Sequence, residues 1–123
     1  FLEAKNKKKK FVKCWGNGSP IREFLYIDDA AEALLEISKT YNSIEPINIG
    51  TGVGLSIKTI AKTIQETVNF KGRIIWNKKM SNGAMKKILN NKKMLNTIKW
   101  KAKTSIETGI NKTVLWYISN YIK

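Results

Sequence analysis

Residues 15 to 29 read Trp15-Gly-Asn-Gly-Ser-Pro-Ile-Arg-Glu-Phe-Leu-Tyr-Ile-Asp-Asp29, and this stretch decides how the fold is interpreted. Two apolar runs, Phe11–Trp15 and Ile21–Ile27, flank the turn Gly16-Asn-Gly-Ser-Pro20. Both runs are rich in residues that favour strands. The glycines and the asparagine supply the positive-φ positions that a short reversal needs. The stretch therefore predicts a hairpin, or a close approach of two strands.

Arg22 leaves this turn only a few residues after Trp15. A planar guanidinium fork beside an indole can grip a phosphate or a sugar hydroxyl. The alternative is structural: Arg22 pairs with Glu23, Asp28 or Asp29, and Trp15 fills the core. On the residues alone the structural interpretation is favoured, because ion-pair networks also create such constellations.

Helix signals recur along the rest of the chain. Asp28 and Asp29 follow the second apolar run and are placed to cap a helix over Asp29–Lys39. Ser56 is predicted to cap another helix, whose apolar residues repeat at three- and four-residue spacing. Thr104 and Glu107 have the spacing of a capping box, which predicts a last helix from Thr104 onward.

Short strands are predicted between these helices, at Ile47–Ile49 and Arg73–Trp76. The alternation indicates an α/β fold in one region, residues 1–123, with too few strands for a complete doubly wound sheet. Gly50, Gly52 and Gly54 lie between a strand and a helix, but their spacing departs from the G-x-G-x-x-G fingerprint of dinucleotide-binding loops. A plain strand-to-helix turn is favoured there.

The net charge of +14 raises the question of nucleic-acid binding. Lysine supplies 21 of the 23 basic residues, and Lys, Asn and Ile together make 50 of the 123 residues. This composition resembles a general drift toward three residue types rather than a designed basic face. Base-edge readers and arginine-rich RNA binders depend on arginine, so direct nucleic-acid binding is disfavoured.

Cys14 is the only cysteine, and the sequence contains no histidine. Metal sites and catalytic triads that need these residues are excluded within the chain. No apolar run approaches the roughly 20 residues of a membrane span, so we expect no membrane partner and a reducing, cytoplasmic location. The first residues, Phe1–Lys5, look like the end of a helix already begun, which predicts a fragment of a longer protein.

Four segments together carry a family resemblance: Trp15-Gly-x-Gly-x-Pro-x-Arg-Glu-Phe-Leu-x-x-Asp-Asp29, Ile47-Asn-Ile-Gly-Thr-Gly52, Ser56-Ile-Lys-x-x-Ala61 and Phe70-Lys-Gly72. They closely resemble the C-terminal part of the GDP-L-fucose synthases, which are extended short-chain dehydrogenases/reductases of the NAD-dependent epimerase/dehydratase family. The resemblance runs from about Leu2 to the last helix. It implies the substrate-binding part of an incomplete Rossmann-type fold.

The resemblance also implies an activity for the parent enzyme. That enzyme would be an oxidoreductase and isomerase of nucleotide-sugar metabolism, converting GDP-4-keto-6-deoxy-mannose to GDP-L-fucose with NADPH. The cofactor loop and a Ser/Tyr/Lys catalytic group would lie in an N-terminal part that this chain lacks, and no Tyr-x-x-x-Lys occurs here. We therefore expect no cofactor and no catalytic residue in this chain alone. A missing N-terminal half and the homodimer typical of the family are the implied protein partners.

The family pattern assigns substrate-binding positions to Trp15, Arg22 and Lys87, with Arg22 facing the diphosphate and Trp15 the sugar-nucleotide. Asn82 stands where the pattern Pro-Asp-Gly-Thr-Pro-Arg-Lys has its aspartate. Lys86 replaces the arginine and both prolines are missing, so we expect a less preorganised loop that grips the substrate less firmly. The alternatives are another sugar-nucleotide epimerase or dehydratase, a small basic nucleic-acid-binding protein, and a non-functional remnant.

Overall fold

A computed structural model describes residues 1–122, which form five helices and five strands. The helices are α1 (Leu2–Asn6), α2 (Ile27–Thr40), α3 (Ile57–Thr67), α4 (Lys92–Ile98) and α5 (Ile106–Tyr121). The strands are β1 (Phe11–Trp15), β2 (Ile21–Glu23), β3 (Gly54–Ser56), β4 (Arg73–Asn77) and β5 (Lys86–Lys87). The predicted α/β class is confirmed. No helix within residues 1–122 is long and apolar enough to cross a membrane.

The strands form two separate small sheets. In one, β1 pairs in parallel with β4, so that Phe11 lies opposite Arg73 and Trp15 opposite Asn77. In the other, β2 is central, antiparallel to β3 and parallel to β5. Because β1 and β2 belong to different sheets, the predicted hairpin is wrong.

The turn between β1 and β2 is held by the start of α3 instead of by a strand ladder. The Gly18 carbonyl accepts a hydrogen bond from the Lys58 amide at 2.8 Å, and the Pro20 carbonyl accepts one from the Ile57 amide at 2.9 Å. Both amides belong to the first turn of a helix, where no intrahelical acceptor is available to them. These bonds direct the chain after β1 toward β3 and β5.

One predicted strand is shorter than expected, and another is absent. The second apolar run pairs only as far as Glu23, and α2 begins at Ile27. The segment Ile47–Ile49 has no ladder partner. Its two isoleucines pack instead against a buried cluster around Trp100. In Ile47–Ile49 side-chain packing, and not backbone pairing, fixes the path of the chain.

The predicted cap of α3 is confirmed. The Ser56 hydroxyl accepts a hydrogen bond from the Thr59 amide at 3.0 Å, which satisfies one of the first-turn donors. Ile60, Ala61 and Val68 of the predicted stripe are buried. Helix α3 therefore follows directly from local sequence.

The other two predicted caps are wrong. Helix α5 is capped by Ser105, whose hydroxyl accepts from the Thr108 amide, and not by Thr104. Helix α2 has no side-chain cap, and Asp29 lies inside its first turn. The Thr104 hydroxyl instead donates to the Asp29 carboxylate at 3.0 Å.

Two small clusters of buried side chains form the core. They are Ala4, Val68 and Phe70 in one, and Ala33, Met94 and Trp100 in the other. Many larger apolar side chains remain outside: Leu34 is 57% exposed and Leu35 is 62% exposed. Large apolar patches that stay exposed often mark interaction surfaces.

Candidate functional site

The turn after β1 is a rigid feature at the edge of the candidate site. Gly16 and Gly18 have φ values of 70° and 78°, a region that glycine adopts readily. The Asn17 side-chain oxygen accepts hydrogen bonds from the Ser19 amide at 2.9 Å and from the Ser19 hydroxyl at 2.7 Å. A Cβ on Gly18 would lie 2.7 Å from the Trp76 ring, so only glycine fits beneath that indole.

Trp15 is the last residue of β1 and is 72% exposed. The alternative that Trp15 fills the core is therefore wrong. Its position opposite Asn77 at the carboxyl ends of β1 and β4 leaves the indole available for contact with a ligand. An exposed indole can stack against a base or a sugar.

Arg22 lies on the central strand β2, between Leu55 on β3 and Lys87 on β5. One guanidinium nitrogen, Nη1, donates to the Ile21 carbonyl at 2.8 Å. Within residues 1–122 no carboxylate lies within 4.0 Å of the guanidinium, so the predicted ion-pair alternative is wrong. Glu23 and Asp29, two of the carboxylates considered as partners, are hydrogen-bonded to other segments.

The loop before β5 joins the other predicted residues to Arg22. Parallel pairing of β2 with β5 puts Lys87 directly opposite Arg22, at the spacing of neighbouring strands, about 4.8 Å. The Asn82 side-chain oxygen accepts a hydrogen bond from the Asn17 amide at 2.9 Å. A Cβ on Gly83 would lie 3.6 Å from Arg22 Nη2. The loop thus bridges the turn after Trp15 and the guanidinium of Arg22.

Glu23 holds this arrangement together, and sequence reasoning gave it only the structural alternative of pairing with Arg22. One carboxylate oxygen accepts from the Gly52 amide at 2.9 Å and the Thr51 hydroxyl at 3.2 Å, and the other accepts from the Leu89 amide at 2.7 Å. Burial acts to raise the pKa of Glu23, but the hydrogen bonds from Leu89, Gly52 and Thr51 outweigh it and lower that pKa below its usual value. The carboxylate therefore fixes the chain just after Lys87 against β2.

Replacing Glu23 with glutamine is expected to reduce the free energy of unfolding at neutral pH by about 1 kcal/mol, because the amide group presents a donor to amides that need an acceptor. The lowered folded-state pKa means that the wild-type contribution exists above the unfolded pKa, about 4.3, and is lost as the pH falls through the folded value. The difference between the two proteins should therefore shrink in acid. Urea unfolding at neutral and acidic pH measures it, with the exposed Glu107→Gln as control; a constant difference would contradict the assignment.

A large apolar groove lies next to this cluster, and none of the four predicted residues lines it. Its volume is about 1410 Å³, and its walls include Leu55, Ile64, Met94, Val114 and Trp116. The apolar stripe of α5, at Ile106, Ile110, Val114 and Tyr117, lines it too. That stripe was the sequence signal for the groove, but periodicity alone does not tell a covered face from an open one.

Comparison with known proteins agrees with the fold. A family model described as the NAD dependent epimerase/dehydratase family matches residues 2–50. A putative GDP-L-fucose synthase 2 of Arabidopsis thaliana is 37% identical over 123 residues, which are 100% of this chain and 37% of that protein. The GDP-L-fucose synthase of Escherichia coli is 33% identical over 98% of this chain and 40% of that protein.

Solved structures give the same result in three dimensions. A GDP-L-fucose synthetase from Naegleria fowleri, bound to NADP, superposes with a TM-score of 0.88 at 33% identity, covering 97% of this chain and 37% of that one. A UDP-glucose 4-epimerase from Thermotoga maritima, with UDP-glucose, has a TM-score of 0.83 at 25% identity, covering 96% and 38%. The chain spans little more than a third of the length of these relatives. The chain is similar to part of the GDP-L-fucose synthases, and its residues 2–50 match the NAD dependent epimerase/dehydratase family model.

Proposed function

We propose that this chain is the GDP-sugar-binding portion of a GDP-L-fucose synthase-like enzyme. The observation that carries the proposal is the Arg22 guanidinium, which has no carboxylate partner within residues 1–122 and lies opposite Lys87. A diphosphate presents paired anionic oxygens that a guanidinium fork binds bidentately. The adjacent lysine adds a compact second charge on the neighbouring strand.

Trp15 and Asn82 supply the polar and apolar contacts that a sugar-nucleotide needs. Asn82 Oδ1 already accepts from the Asn17 amide, so its Nδ2 group is the one left to donate to a ligand oxygen. The backbone donor also fixes which side-chain atom is the oxygen. The exposed Trp15 indole offers a stacking face.

For the whole enzyme we propose cytoplasmic, NADPH-dependent epimerisation and reduction of GDP-4-keto-6-deoxy-mannose, with the cofactor and the catalytic groups supplied from outside these 123 residues. The glycine loop of this chain does not fit a cofactor phosphate. Its Gly52 amide donates to Glu23 and its Val53 amide donates to the Thr51 hydroxyl. A carboxylate at these amides would repel a phosphate.

The open apolar groove supports the proposal that this chain is only part of a larger fold. We propose that the rest of the enzyme, an N-terminal dinucleotide-binding part, covers the face formed by α3 and α5. Exposed side chains such as Trp116 and Tyr117 on that wall have the size and apolar character of interdomain contacts. Covering this face would bring the missing part beside β2 and its Arg22, since Leu55 lines the groove and lies opposite Arg22.

We expect the purified chain to bind GDP-L-fucose in preference to a UDP-sugar, and neither to bind nor to oxidise NADPH. Nucleotide-sugar binding needs the Arg22 and Lys87 cluster, whereas NADPH binding needs a phosphate loop that Glu23 occupies here. Isothermal titration with the three ligands measures binding, and absorbance of the reduced nicotinamide measures turnover.

Each other outcome has a defined meaning. NADPH turnover by this chain alone contradicts the proposal, and preference for a UDP-sugar assigns the chain to another sugar-nucleotide enzyme. A steep salt dependence of binding to duplex DNA, with no response to nucleotide-sugars, assigns it to nucleic-acid binding. A chain with no near-ultraviolet circular dichroism and no ligand binding is a remnant without fixed side-chain packing.

A further inference from the structure

The sequence contains two Asn-Gly pairs, Asn17-Gly18 and Asn82-Gly83, and the structure holds them very differently. In an Asn-Gly pair the glycine amide nitrogen can attack the asparagine Cγ, because no Cβ on the glycine hinders the approach. The Cγ–Nδ2 bond breaks, ammonia leaves, and the new Cγ–N bond closes a succinimide ring. Water then opens that ring at either carbonyl, which leaves aspartate or isoaspartate.

The Asn17-Gly18 pair is locked against this reaction. The Asn17 side-chain oxygen is held by both the amide and the hydroxyl of Ser19. Gly18 is buried below the Trp76 ring, and its carbonyl accepts from the Lys58 amide at 2.8 Å. Ring closure needs the Gly18 nitrogen to swing toward Cγ, which would break these contacts.

The Asn82-Gly83 pair is arranged to permit it. Gly83 is exposed, and a Cβ built on it would meet only Arg22 Nη2 within 4 Å. The Asn82 oxygen is held by one hydrogen bond, from the Asn17 amide at 2.9 Å, whereas the Asn17 oxygen is held by two. The Gly83 amide donates to the Ser81 hydroxyl at 3.0 Å, so an acceptor already contacts the proton that must leave.

The local charge also favours the reaction. Arg22 lies beside Gly83, and Lys86 and Lys87 follow on β5. The attacking nitrogen and the tetrahedral oxygen both become negative, and nearby cations stabilise such charge. No carboxylate within residues 1–122 pairs with these three cations, so their charge is not neutralised locally.

From this contrast we propose that Asn82 is a spontaneous deamidation site of the folded chain, and that Asn17 is protected. The product places a negative charge at position 82, where an aspartate oxygen can still accept the Asn17 amide. The net charge of the chain falls by one unit. The assignment does not rest on the proposed function, because it uses only the geometry of the two loops.

The test is to incubate the folded full chain at mildly alkaline pH and follow both sites by peptide mass spectrometry, with isoaspartate detection. We expect conversion at Asn82 at least about tenfold faster than at Asn17, a ratio that needs only about 1.4 kcal/mol of local protection at Asn17. In concentrated urea the two rates should converge, since both pairs are then unstructured.

Two controls keep the result specific. Asn82→Gln should abolish conversion at this position, because the longer side chain closes the corresponding ring far more slowly. A short peptide carrying residues 78–87 gives the unprotected rate. Equal rates at the two sites in the folded chain, or a stable Asn82 in a chain whose peptide converts, would overturn the assignment.

Discussion

Replacing Arg22 with alanine is expected to weaken GDP-sugar binding by about 2–4 kcal/mol, or roughly 30- to 1000-fold in the dissociation constant. Arg22 lies on the central strand of its sheet, opposite Lys87, with no carboxylate partner within residues 1–122. Truncation removes a charged, forked contact to phosphate without releasing any internal ion pair. The loss should therefore appear almost entirely in ligand affinity, with little change in the stability of the unliganded chain.

A matched control exists because the sequence has only one other arginine, Arg73. Arg73 is exposed at the start of β4, in the other sheet and opposite Phe11. Arg73→Ala removes the same charge and should change affinity only through long-range attraction, which added salt suppresses. Arg22→Lys keeps the charge but loses the fork, so it should fall between wild type and Arg22→Ala. Equal losses for the two alanine variants would mean that Arg22 acts only through net charge.

Local sequence was sufficient wherever a few neighbouring residues decide the structure. The cap at Ser56 and the buried stripe of α3 depend on contacts three or four residues apart, and both were predicted correctly. Strand pairing depends on distant segments. No feature of the sequence near Phe11–Trp15 indicates that this strand pairs with Arg73–Asn77. The prediction of a hairpin with the adjacent apolar run was therefore wrong.

The candidate site shows the same limit more sharply. Trp15, Arg22, Asn82 and Lys87 came from the family pattern, and the β2–β5 register and the loop that brings them together were not derivable from spacing. From the sequence, Glu23 was considered only as a possible ion-pair partner of Arg22. Its hydrogen-bond donors, on Thr51, Gly52 and Leu89, are between 28 and 66 residues away in the chain. A carboxylate that joins three loops has no local sequence signature, since its donors are mainly backbone amides that every residue type carries.

Asp29→Ala is expected to lower the free energy of unfolding by about 2–4 kcal/mol. Asp29 is only 5% exposed and is the buried charged residue of the core. Its carboxylate accepts from the Lys103 amide at 3.1 Å, from the Thr104 amide at 2.9 Å and from the Thr104 hydroxyl at 3.0 Å. Alanine would leave both amides without this acceptor next to the start of α5, whose apolar face forms a wall of the groove. Urea unfolding followed by far-ultraviolet circular dichroism measures the loss.

A variant of the neighbouring Asp28 separates the effect of losing a buried carboxylate from the effect of losing a charge. It occupies the same first turn of α2 but is exposed, so Asp28→Ala removes an equal charge and a similar helix-dipole term, and should cost no more than about 0.5 kcal/mol. Asp29→Asn should be intermediate, because its one carbonyl oxygen still accepts while the Thr104 hydroxyl can rotate to accept from the new amide. If the two alanine variants unfolded alike, Asp29 would act only on the helix dipole. A large difference between the two alanine variants would instead show that Asp29 stabilises the chain through its hydrogen bonds to the segment before α5, which lies 74 residues away in sequence.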